Sequence, residues 1–323
     1  DMTSRLGEQA DALAHAIEVL AELELQFAKA RFAEEYDCAT VRLIPVPASS
    51  ALGVQGDMGE ENRGGETAPA AGYVKSDAAA LVLRNARHPL LERTLRTKGG
   101  RIVPVTVELD GAHRQVIISG PNTGGKTVSL KTVGLLVLMA QSGIPVSAER
   151  AEMPVFDAVF ADIGDYQSIE QNLSTFSAHV TNIDFISHHA TAQSLVLLDE
   201  LGSATDPEEG AALAVAIADY FRRLECLSII STHHTALKVY AANMPGVLNA
   251  AVGFDERTLA PTYELRIGVP GASAGINIAQ KLGLNPQIVS EAREKLTSQA
   301  QDVAKFLYRL HEELRQLDRE RST

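Results

Sequence analysis

The octapeptide GPNTGGKT, residues 120–127, constrains what this chain can fold into more than any other stretch. It lies between the apolar run QVIIS and a helical pattern that begins at Lys126. It fits GxxxxGK[ST] at every defined position, and a strand before and a helix after are the context that gives the pattern its meaning. Glycines let successive amides turn inward into a concave nest of N–H donors, and the helix start adds its positive end. A polyphosphate suits such a nest. Lys126 then reaches the β- and γ-phosphates, and the Thr127 hydroxyl takes a Mg²⁺ position. The expected nucleotide-contacting run is Gly120, Pro121, Asn122, Thr123, Gly124, Gly125, Lys126, Thr127 and Val128, with ATP and Mg²⁺ as ligands. The plainer alternative is an ordinary glycine-rich turn.

From residue 115 onward, short apolar runs alternate with helical patterns. QVIIS reads as a buried strand, 126–142 as a helix ended by Gly143, and VFDAVFAD as strand-like. Residues 174–190 read as a helix, SLVLLD as a continuous apolar strand and CLSIIS as another. Between those two strands, 207–223 form a helix with Asp206 at the N-cap and Pro207 at N1. This alternation implies an α/β fold with a mostly parallel sheet flanked by helices. RIVPVTVEL, 101–109, alternates as a strand does. Residues 3–36 read as one long helix whose stripe of Leu13, Ile17, Leu20 and Phe27 suits a core or coiled-coil helix. Residues 48–72 carry almost no large apolar side chains and read as a mobile loop or linker. At the C-terminus Leu296, Ala300, Val303, Leu307, Leu310, Leu314 and Leu317 repeat as an a/d seam, the pattern of a coiled-coil helix.

SLVLLDE supplies the partner of the phosphate loop. Its apolar strand carries Asp199 to the carboxyl edge of the sheet, where ligands of open α/β sheets collect. Asp199 is placed to hold Mg²⁺, directly or through water, and Glu200 to polarise the attacking water. A solvated strand end is the bland alternative for both. His233, after the strand CLSII, can contact the γ-phosphate, whereas His234 reads as a packed or surface histidine. Adjacent histidines at 188–189 and 233–234 face different ways and lack further ligands at metal spacing, so no protein-only metal site is expected. Ser174 and Thr175 open a helix. They either cap it or present its positive end to the nucleotide of a second subunit.

Composition narrows the partners. With 29 basic and 41 acidic residues the chain carries −12, a poor balance for the main surface gripping a nucleic acid. Cys38 and Cys226 stand far apart without CxxC spacing, as expected in a reduced compartment. No window approaches 18 uninterrupted apolar residues, so no membrane segment is expected and the location expected is cytoplasmic.

Together RHPLLE (87–92), SGPNTGGKT (119–127), DIGDYQSIEQNLSTFSAH (162–179), LLDELGSATDPEEGAALA (197–214) and STHH (231–234) resemble the MutS family of DNA-handling ATPases. DELGSATDPEEG and SIEQNLSTFSAH are similar to its second branch, associated with suppression of homologous recombination. The resemblance implies a P-loop NTPase of the ABC-ATPase type that works as a homodimer. Each composite site takes Ser174 in trans from the partner, and Lys126, Glu200 and His233 act on the bound nucleotide. It also implies adenine held between Ile102 and Tyr263. The implied division is a lever or core helical segment (1–47), a loop (48–72), the ATPase domain (73–286) and a helix beginning a coiled coil (287–323). The implied target is branched DNA, or ribosomes, gripped mainly by clamp parts absent from these residues. The Smr nuclease domain of many second-branch members has no counterpart here, so nuclease activity is not expected. A nucleotide-gated chromosome-organising scaffold is the competing class, but it places a long coil inside the ATPase domain and uses a Ser-Gly-rich signature. A small-molecule kinase is disfavoured by Glu200 and by the lack of an arginine-rich lid.

Overall fold

The computed structural model describes residues 9–44, 79–121, 124–164, 175–203, 205–254, 261–271 and 275–295. Its centre is β4 (Gln115–Ser119), buried at every position. Parallel strands flank it: β9 (Val247–Phe254) on one side, β8 (Leu227–Ser231), β7 (Leu195–Leu198) and β6 (Val159–Asp162) on the other. The hairpin strand β10 (Pro261–Ile267) adds an antiparallel edge, giving the order β10-β9-β4-β8-β7-β6. Both faces are covered, which is why these strands read as unbroken apolar runs instead of alternating.

The strands' two-residue period sorts their side chains into two cores. Val116, Ile118, Leu195, Leu197, Leu227 and Ile229 meet α3 (Lys126–Gln141) through Leu130, Val133, Leu136 and Val137. Ile117, Val196, Leu198 and Ile230 face the opposite way. There they meet Ile186 of α4 (Thr175–His189), Ala214, Ala218 and Phe221 of α5 (Pro207–Arg223), and Leu237 and Tyr240 of α6 (Thr235–Asn243).

A second sheet covers the far side of α3. Its order is β1 (Val41–Ile44), β5 (Arg150–Pro154), β2 (Ala79–Ala86) and β3 (Val105–Asp110), and only the β1–β5 pair is parallel. Leu81, Leu83, Val105, Val107 and Leu109 join the core that holds α3. A helix sandwiched between two sheets needs a broad apolar face: α3 buries nine of its sixteen residues, while Val128, Lys131 and Leu138 stay exposed. The start of β3 corrects the expected strand over 101–109: the ladder begins only after Pro104, which has no amide to donate. Within VFDAVFAD only Val159–Asp162 joins the sheet. The backbone of Phe156 bonds instead to the side chain of Gln141, at 2.8 and 3.1 Å.

The long N-terminal helix α1 (Ala10–Glu35) buries none of its residues. Leu13, Ile17, Leu20 and Phe27 stay exposed, so the stripe that suits a core has no cover among the described residues. The RHPLLE segment is the joint at its end. Arg87 donates to the carbonyls of Tyr36 and Asp37 and pairs at 3.4 Å with Glu92, a buried residue of α2 (Pro89–Thr97) that also bonds Arg96 at 2.6 Å. At the other end α7 (Gly275–Lys281) and α8 (Pro286–Lys295) follow β10. The 48–72 loop and the heptad seam beyond 295 lie outside the described residues. No described helix is long and apolar enough to cross a membrane.

The turn after Asp199 is packed backbone to backbone against α5. A Cβ on Gly210 would overlap the carbonyl oxygen of Gly202, so only glycine permits the approach. Gly210→Ala is expected to destabilise the chain by about 1–3 kcal/mol, read as a lower denaturant midpoint at unchanged m-value.

Candidate functional site

The site forms where β4, β7 and β8 end. Gly125, at the N-cap of α3, has φ +96°, a backbone region that side chains rarely enter. This turn aims the first amides of α3 at the space above the sheet. Lys126 is 1% exposed, and its Nζ donates to the carbonyl of Gly120 at 2.7 Å. Burial pushes its ammonium below the ordinary lysine value, while Glu200 and Asp199 pull it back. Pro121 accepts from the Gly124 amide at 2.9 Å, and Val128 stands exposed on the first turn of α3. Asn122 and Thr123 lie outside the described residues.

β7 delivers Asp199 to this loop. Its amide donates to the carbonyl of Asp162, the last residue of the neighbouring β6, at 2.8 Å. Thr127 Oγ1 donates to Asp199 Oδ2 at 2.7 Å, and Ser231 Oγ donates to Oδ1. Ser231 also accepts the Glu200 amide at 2.8 Å. Glu200 has φ +49°, a left-handed conformation unusual for a residue with a side chain, and the Ser231 bond helps hold it there. One hydroxyl thus fixes both acidic residues. Ser231 opens the STHH stretch, but its sequence neighbourhood does not say that it meets Asp199. Only the parallel register, with Leu198 opposite Ile230, sets it beside Asp199.

A second set of residues, to which the sequence reading gave no individual role, anchors α4. The Asp162 carboxylate is 1% exposed, accepts from Asn182 Nδ2 at 2.9 Å and meets His179 Nδ1 at 2.7 Å. The helix carrying the STF segment is thereby bound to the strand that abuts Asp199. Ser174 itself lies just outside the described residues, one position before α4 starts. A cavity of about 350 Å³ separates α4 from α5 and opens on Asp199 and Glu200. Val180, Ile183, Leu213 and Ile217 give it an apolar wall.

His233 is exposed at the rim, its ring tilted against His234 with centroids 4.3 Å apart. Shielding on its inner side, then His234, Lys126 and Lys238, hold its pKa below the ordinary value. His234 points inward, 8% exposed, with Nε2 3.0 Å from the Gly202 carbonyl. Tyr263 on β10 brings its ring to 3.2 Å from where a Cβ on Gly125 would stand. Ile102 is half-buried just ahead of β3, a strand that packs beside β10.

Thr127 and Asp199 offer hard oxygen donors at one point, a small set of the kind that suits Mg²⁺, which keeps several waters and completes its shell with phosphate oxygens. Among the described residues no three His, Cys, Asp or Glu side chains form a ligand cluster.

The family model for MutS domain V matches residues 116–300. Curated relatives similar to nearly the whole chain carry the name Endonuclease MutS2. The protein of Exiguobacterium sibiricum is 42% identical over 312 residues, 96% of this chain and 35% of the relative. That of Thermomicrobium roseum is 43% identical over 318 residues, 98% and 37% of the two chains. That of Geobacillus kaustophilus is 42% identical over 307 residues, 95% and 34%. This chain therefore spans about a third of the length of the curated relatives it matches.

Ser231→Ala would leave Asp199 Oδ1 and the Glu200 amide without their shared partner. A loss of about 1–3 kcal/mol in unfolding free energy is expected from denaturant titration.

Proposed function

This chain belongs to the MutS family, in its MutS2 branch, and on that premise we propose that it is an ATP-hydrolysing switch domain completed by a second copy of itself. The observation that carries this reading is the meeting of Thr127, Asp199, Ser231 and Glu200 at the start of the phosphate-loop helix. The loop amides and Lys126 hold the β- and γ-phosphates and stabilise the charge that develops as the γ-phosphoryl group transfers. Thr127 and Asp199 would hold Mg²⁺, which would supply charge neutralisation at the phosphates. Glu200, fixed through its amide by Ser231, orients and polarises the attacking water. His233, at the rim, reports whether the γ-phosphate is present. Ile102 and Tyr263 enclose the adenine. Ser174 arrives from the partner copy, carried by an α4 that Asp162 holds in place through His179 and Asn182.

In this reading, hydrolysis drives two copies together and apart, and helices at both ends of the domain pass the motion on. The target we infer is branched or recombination-intermediate DNA, whose remodelling suppresses homologous recombination. A net charge of −12 supports placing the nucleic-acid grip outside these residues. The word endonuclease in the relatives' names belongs to proteins about three times as long, and no residue of this site is given that task.

Glu200→Gln is expected to keep ATP binding and lose at least about 100-fold in turnover, the usual weight of a positioned general base. The same variant should accumulate as an ATP-bound dimer in light scattering. Turnover equal to that of the unaltered chain would remove Glu200 from the mechanism. Specific activity should also fall on dilution, because a site shared between copies needs association. Activity independent of concentration would argue for a site complete in one chain.

A further inference from the structure

The helix that follows His233 carries a lysine on its inner face. Lys238 of α6 is 2% exposed, and its Nζ donates to the carbonyl of Gly271 at 2.9 Å. The Lys238 carbonyl accepts from Asn249 Nδ2 of β9 at 3.1 Å, so both ends of the residue are fixed. Gly271 closes the root of the phosphate loop. Its amide donates to Ser119 Oγ at 2.8 Å, and a Cβ there would stand 2.6 Å from the Ser119 carbonyl carbon and 2.7 Å from the Gly120 amide. A buried ammonium suffers a desolvation that an uncharged donor does not. The charge has a use where it sits, behind a pocket built for a polyanion.

We propose that Lys238 is a positioning residue for the nucleotide, a second buried cation that backs the phosphate loop and clamps the segment ending at Gly271 onto the loop's root. The proposal rests on the ATPase reading and deepens it. Through this clamp, α6, which starts beside His233, is joined to the stretch that leads into α7 and α8. Among the described residues, the elements around Lys238 carry the following groups. α3 presents Lys126, the start of α6 itself carries His233 and His234, and α5 presents Asp219 and Arg222, paired to each other at 2.9 Å. β4 and β9 offer the uncharged Ser119 and Asn249. Burial first, and then Lys126, push the Lys238 ammonium down to about 8. A bound polyphosphate acts in the opposite direction and raises it. The backing charge is therefore half present at about pH 8 and is lost as pH rises through that value. Nucleotide affinity falls over the same interval, and binding there takes up a proton.

Calorimetric titration of the purified chain with AMP-PNP and Mg²⁺ tests this, run between about pH 7 and about pH 9 in two buffers of different ionisation enthalpy. The unaltered chain should lose roughly tenfold in affinity across the range and show proton uptake at the upper end. Lys238→Met should bind roughly tenfold more weakly at pH 7 with a flat profile, while Lys238→Arg, charged throughout, should keep its affinity at pH 9. A Lys238→Met protein matching the unaltered chain in affinity and profile overturns the proposal. Where that variant does not fold, a flat profile without proton uptake in the unaltered chain overturns it, as does a Lys238→Arg profile as steep as the unaltered one. Absence of AMP-PNP binding by the unaltered chain at pH 7 is a separate outcome, because it overturns the ATPase reading itself.

Discussion

The Asp199 carboxylate, held between the hydroxyls of Thr127 and Ser231, is the interaction on which this architecture turns. It joins three segments far apart in sequence: the start of α3, the end of β7 and the end of β8. A carboxylate only 8% exposed would be unfavourable without such partners. With them, the same contact fixes the phosphate-loop helix against the sheet and sets the turn that carries Glu200. Chemistry and fold share one set of hydrogen bonds at this point.

The rest of the molecule keeps that point still. Two sheets enclose α3, so the helix that presents the phosphate loop is wedged between packed layers instead of lying on a surface. On the other face, α4, α5 and α6 are fixed by Ile186, Phe221 and Leu237 against the apolar side chains of the strands. α4 adds the polar contacts of Asp162 to that anchor, whereas the exposed stripe of α1 has no cover among the described residues.

Much of the central sheet was legible from apolar runs, because parallel strands buried on both faces leave an unbroken pattern. QVIIS, SLVLL and the helix over 207–223 fall where their composition places them. The four-stranded sheet was harder to see. Its β1 and β5 lie more than a hundred residues apart and pair through backbone groups that leave no local signature. The stripe on α1 follows the same logic: periodicity says that a face is apolar, not what covers it.

By itself the sequence determined the phosphate loop, the acidic pair at 199–200 and the family, since these depend on residue types at short spacing within single elements. The tertiary structure alone decided that Ser231 organises the acidic pair, that Asp162 anchors α4 and that Lys238 backs the loop through Gly271. Each of those is a contact between distant segments. Its geometry follows from strand register and helix packing, and neither is written in the neighbourhood of the residues concerned.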